Sequence, residues 1–108
     1  MNSSVIELNE LNFTEEVLDA EEPVLVEFWA EWSDSSRQIA PLIESVASDR
    51  AGEVKVAAVD VEHHEQLARQ YGVRAVPTLL FFNHGNLWHQ IVGRTSDREV
   101  RSALDRLT

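Results

Sequence analysis

No cysteine occurs anywhere in the 108 residues. The chain can therefore close no disulfide of its own, and no step that needs a thiolate nucleophile can run on its side chains. Positive charge is also scarce: nine Lys and Arg stand against nineteen Asp and Glu, for a formal net charge of -10. Such an excess repels phosphate backbones and anionic lipid, so neither nucleic acid nor a membrane surface is an expected partner. No apolar run approaches the roughly 20 residues that a membrane span requires, and Met1-Asn2-Ser3-Ser4 has neither the basic nor the apolar segment of a secretory signal. A cytoplasmic location is the expectation, although the lack of cysteine favours no redox compartment. Only three prolines and four glycines are present, and they form no linker, low-complexity tract or Gly-rich phosphate loop. A single domain over residues 1-108 is the simplest organisation.

What is present suits a soluble globular protein: 44% of residues are hydrophobic and 26% charged, enough apolar material for a core without staples. Val5-Ile6-Glu7-Leu8 reads as a short strand, and Asn12 to Leu18 as a capped helix with acids in its first turn. Val24-Leu25-Val26-Glu27-Phe28-Trp29 is a nearly continuous apolar run of the kind buried on both faces of a sheet. From Ser33 to Arg50, Ile39, Leu42, Ile43, Val46 and Ala47 recur at helical spacing, with Pro41 expected to kink the helix. Val54 to Val59 reads as a second buried strand, and Glu65 to Tyr71 as a short helix closed by Gly72. Thr78 to Phe82 and Leu87 to Val92 flank the turn Asn83-His84-Gly85-Asn86 and predict an antiparallel hairpin. Ser96-Asp97-Arg98-Glu99 is a capping box for a last helix carrying Val100, Ala103, Leu104 and Leu107. The order β-α-β-α-β-α-β-β-α implies an α/β fold: right-handed crossovers, a mixed sheet and helices on both faces.

Four blocks in this order and spacing carry a family resemblance. They are Leu25 to Trp32, Ile39-Ala40-Pro41, Tyr71-Gly72-Val73-Arg74-Ala75-Val76-Pro77-Thr78-Leu79, and Val92-Gly93. Together they resemble the thioredoxin family over nearly the whole chain. The resemblance implies a thioredoxin fold, a central mixed five-stranded sheet flanked by four helices. It also implies a protein-disulfide oxidoreductase activity that this sequence cannot perform as it stands. In the family a C-x-x-C pair opens the long helix, where amide donors and the helix dipole favour the attacking thiolate. Here the matching segment is Ser33-Asp34-Ser35-Ser36, with Ser33 and Ser36 at the cysteine positions. A serine hydroxyl forms neither a mixed nor an internal disulfide.

Those hydroxyls have two readings. Ser and Asp are favoured helix caps, and an acid in the first turn complements the dipole. A nucleophile, by contrast, needs an adjacent base and an orienting group, and His63, His64, His84 and His89 all lie in other segments. Capping is therefore the expectation, and no catalytic residue is assigned. Glu27 matches the family's buried proton-shuttling acid. It reads either as a relic of that role or as a structural carboxyl that finds a sheet edge, a water or a neighbouring side chain. Ala58 stands where the family often has a lysine near that acid.

The resemblance further implies a cis Val76-Pro77 loop whose backbone at Val76 pairs with an extended polypeptide. Pro77 would anchor that loop, Gly93 would leave room, and Trp32 and Val61 would form apolar walls. None of these contacts needs sulfur. The alternative is that Pro77 and Gly93 only preserve the fold. His63-His64-Glu65 is the single cluster resembling metal ligands, but it lacks a complete ligand spacing and reads as a solvated helix start. No metal and no cofactor are expected. Trp29, Phe28, Phe81 and Phe82 read as core, with Trp88 on the solvent side of the hairpin. The leading expectation is a redox-inactive, thioredoxin-like binder of a polypeptide client or partner, chaperone-like in type. The alternative is a thioredoxin whose redox cysteines have been replaced by serine.

Overall fold

The computed structural model describes residues 4-107, so Met1, Asn2 and Ser3 of the opening segment lie outside the described residues. Five strands, β1 (Val5–Glu7), β2 (Val24–Trp29), β3 (Lys55–Asp60), β4 (Thr78–Asn83) and β5 (Asn86–Val92), form one sheet in the order β1-β3-β2-β4-β5. The first two strands run parallel to β3, whereas β4 is antiparallel to β2 and β5 to β4. Three α-helices, α1 (Asp34–Asp49), α2 (Glu65–Gln70) and α3 (Asp97–Asp105), and one π-helical turn (Thr14–Leu18) complete the mixed α/β architecture.

Strand pleating sorts the apolar residues onto two faces. Val24, Val26 and Phe28 of β2 join Leu80 and Phe82 of β4 beneath Phe13, Val17 and Leu67. Their alternates Leu25, Leu79 and Phe81 pack against Ile39, Ile43 and Val46 of α1 and Val100 and Leu104 of α3. Burying each such side chain contributes about 1.5–3 kcal/mol, which explains why β2 is apolar on both faces and reads as a run rather than an alternation. Its one exception is Glu27, which by register shares a face with Leu25.

Local signals set the element ends. Gly72 has φ +69; its N–H donates to Arg69 O (3.1 Å) and the Val73 N–H to Ala68 O (2.9 Å), the paired bonds of a Schellman motif closing α2. In the β4–β5 hairpin His84 and Gly85 both have positive φ, as a type I′ turn requires. Ser96 Oγ accepts from the Glu99 N–H at 3.1 Å, but the Glu99 carboxylate accepts from Thr95 Oγ1 instead of returning to Ser96. Only half of the expected capping box is closed.

Two expectations need correction. Asn12 does not start the first helical segment: Asn9 Oδ1 accepts from the Leu11 and Asn12 N–H groups, and Asn12 Oδ1 accepts from the Asn9 N–H. Those bonds brace the turn before the segment, which is entered at Phe13 without a side-chain cap and ends through a wide Asp19 N–H to Thr14 O bond. Trp29 is not core. It is only half-buried, because the chain leaves the sheet there and its ring faces a cleft described below.

Candidate functional site

Two chain reversals build the site. After β2 the chain turns through Ala30-Glu31-Trp32, with the Ser33 N–H donating to Ala30 O at 3.1 Å, and enters α1. Ser33 is the N-cap: its Oγ accepts from the Ser36 N–H at 3.2 Å. Ser36 Oγ in turn accepts from the buried Ala30 N–H at 3.3 Å. Both hydroxyls are buried, and both satisfy backbone donors at a helix start. Arg37 closes the outer side of this turn by donating to Asp34 and to Glu31 O.

The second reversal is the loop before β4. The Val76-Pro77 peptide is cis, Thr78 Oγ1 donates to Ala75 O at 2.6 Å, and Pro77 O accepts from the Gly93 N–H at 2.8 Å. Ser33 Oγ lies 3.5 Å from Val76 O, a long contact that brings the two reversals together. Among the expected groove residues, Pro77 is buried, Val76 half-buried, and Trp32 stands out at 65% exposure. Gly93 has φ +84 with open space where a Cβ would point, so backbone conformation rather than crowding calls for glycine here. Val61 is set by a 3.0 Å bond from its N–H to Trp29 O and packs on the edge of the core with Tyr71 and Val73. None of its described hydrogen bonds reaches the other four.

The chemistry these groups permit is limited. Neither serine hydroxyl is hydrogen-bonded to a described histidine, carboxylate or amine, so nothing activates them as nucleophiles. The thioredoxin family model matches residues 4-106. Similar proteins include thioredoxin C-2 of Corynebacterium nephridii, 38% identical over 106 residues and spanning 98% of both chains. Thioredoxin 1 of a Nostoc species is 35% identical, covering 96% of this chain and 97% of that protein. A Pseudomonas aeruginosa thioredoxin is also 35% identical, covering 97% of each. The chain belongs to the thioredoxin family.

Within this thioredoxin-family chain the third feature is Glu27. The residue is only 6% exposed, and its carboxyl, which has no described side-chain hydrogen bond, is not fully enclosed. Burial pushes its carboxyl up to about 7 from the usual 4.5, and the nearby Glu44 carboxylate pushes in the same direction. Of the partners expected for a structural carboxyl, a neighbouring side chain is not among the described hydrogen bonds. The carboxyl instead lines a cleft of about 640 Å³ between α1 and the β1–β3 side of the sheet. Ala58, paired with Glu27 in the register of β2 and β3, lines it as well.

Sequence reading missed this cleft, and the bare alanine opposite a buried acid was the one signal for it. The histidines next to it are each paired with an acid: His63 Nδ1 with Asp60 at 2.7 Å and His64 Nδ1 with Glu10 at 2.8 Å. Asp60 lifts the His63 pKa through that hydrogen bond. Among the described residues no group of three His, Asp or Glu side chains could hold a metal ion, and no helix is long and apolar enough to cross a membrane.

Proposed function

We propose that this thioredoxin-family member binds an extended polypeptide segment at the face formed by Trp32, Val76, Pro77 and Gly93, without thiol-disulfide exchange. The observation that carries the reading is the 65% exposure of Trp32, a large apolar ring kept in water next to the Val76-Pro77 loop. A ring of that size left in solvent favours a contact surface over a core role. Backbone pairing at Val76 would supply main-chain affinity, with Trp32 supplying apolar area. The occupant is a client or partner protein held in a chaperone-like way, and the setting is cytoplasmic.

The test is peptide binding by the full chain after Trp32→Ser and Val76→Asn, singly and together. Losing a buried aromatic anchor should weaken binding by about 1–3 kcal/mol. Affinity unchanged in the double variant would sink the reading.

A second reading has its own support, because the serine hydroxyls occupy a helix start of the kind that activates a thiol. In this reading the scaffold is a thioredoxin disulfide oxidoreductase with serine at both redox positions. Insulin reduction by Ser33→Cys/Ser36→Cys decides it: turnover comparable with family members supports the second reading, and an inert dithiol rejects it.

A further inference from the structure

We propose that the cleft between α1 and the β1–β3 side of the sheet binds a primary ammonium group carried on an alkyl stem, with Glu27 as its counter-ion. None of the groove residues Trp32, Val76, Pro77 or Gly93 lines this cleft, so the inference stands apart from the polypeptide-binding reading.

Its lining holds a mostly buried acid, Glu27, with no side-chain hydrogen bond among the described residues. Glu27 is nine-tenths buried; because no enclosed polar side-chain atom lacks a partner among the described residues, the carboxyl opens onto the cleft, where low hydration makes its charge costly. The charged groups facing it come from every surrounding element: Glu7 of β1, Arg37 and Glu44 of α1, Asp60 of β3, and His63 and His64 beyond it. The basic groups among them are each engaged by an acid or a carbonyl. Arg37 is held by Asp34 and Glu31 O, His63 by Asp60, and His64 by Glu10. The field left in the cleft is acidic, within a chain of net charge -10.

Two solutions exist for Glu27: a proton, or a cation from outside. The proton suffices in mildly acidic solution, since the carboxyl titrates near 7. Above that, an ammonium group satisfies the charge directly. A metal ion fits poorly, because no three ligands converge among the described residues. The walls also favour a stem, since Val5, Leu8, Trp29, Ile43 and Ala58 are apolar. The volume, about 640 Å³, lies within the range of small-molecule sites. Ala58 provides the room, as its methyl group lies next to Glu27 where a longer side chain would fill the space.

The experiment is a two-dimensional amide NMR titration of the full chain with n-butylammonium chloride at pH 8 and pH 6, with butan-1-ol as the neutral control. Saturable shifts around Glu27, Glu44 and Ala58 are expected at pH 8. About tenfold weaker binding is expected at pH 6, where a group titrating near 7 is mostly protonated. Glu27→Gln should abolish the pH dependence, and Ala58→Lys should block the site with the chain's own ammonium. As a measurement on the unaltered protein, the Glu27 carboxyl carbon should titrate at lower pH when butylammonium is bound. This readout holds even if either variant fails to fold. A lysine-containing tripeptide with blocked ends then separates the sources. Tighter binding than butylammonium assigns the site to a lysine of a polypeptide, and weaker or equal binding assigns it to a free alkylamine. No saturable shift with butylammonium, equal response to butan-1-ol, or an unmoved Glu27 titration overturns the proposal.

Discussion

Glu27 and Ala58 are direct neighbours in the parallel register of β2 and β3, and both line the same cleft. An acid on one strand thus stands beside a methyl group on the next, with Glu44 as a second carboxylate close enough to raise its pKa. The consequence reaches beyond the cleft to the stability of the whole domain.

Glu27 holds its proton more tightly when folded, near 7, than in the unfolded chain, near 4.5. The folded state therefore binds more protons between those values, and this group's contribution falls as pH rises from about 4.5 to about 7, then levels off. The difference is on the order of 3 kcal/mol. Glu27→Gln should gain stability relative to the parent between pH 5 and pH 8 by an amount of that order. Urea unfolding at both values measures it, and a variant whose advantage is the same at both contradicts the assignment.

Ser36→Ala should cost more than Ser33→Ala. Removing the Ser33 cap costs about 1 kcal/mol, whereas removing Ser36 leaves the buried Ala30 N–H without its acceptor, at about 1–3 kcal/mol. Thermal melts of the two variants give the order directly.

A cysteine placed by Ser33→Cys should titrate below the 8.5 of a free thiol. The site offers the Ser36 N–H and the α1 N-terminus to a thiolate. The pH dependence of alkylation by iodoacetamide reports this value, and a midpoint at or above about 8.5 would show that the helix start no longer favours an anion.

Gly85→Ala should be among the more damaging surface substitutions. Gly85 has φ +80, and a Cβ there would lie 2.7 Å from Leu18 O. Left-handed strain costs about 1 kcal/mol, and a backbone clash adds to it. A loss of about 2 kcal/mol or more is expected in chemical denaturation. Gly52→Ala, with nothing near its Cβ, should lose only the conformational part.

Much of the fold was legible because its signals are local. The Gly72 helix end, the His84-Gly85 turn and the Ser33 and Ser96 caps each depend on a few adjacent residues, and all four stand where the pattern placed them. The first helical segment misled because the Asn9 and Asn12 side chains bond the backbone of the preceding turn, and the segment itself starts at Phe13 without a side-chain cap. The groove was legible only in part. The family resemblance implied Trp32, Val61, Val76, Pro77 and Gly93, but the bond that the Gly93 N–H donates to Pro77 O joins segments whose approach only the folded sheet sets.

By itself the sequence determined that this chain has no thiol, carries a strong negative charge and has the element order of an α/β fold with capped helices. Composition and nearest-neighbour stereochemistry suffice for each. Tertiary structure alone decided that Trp29 borders a cleft, that His64 pairs with Glu10 from a distant segment, and that the mostly buried Glu27 lines that cleft. Burial and long-range pairing arise only when α1 closes over one face of the sheet, and a carboxyl's pKa follows from what surrounds it rather than from its neighbours in the chain.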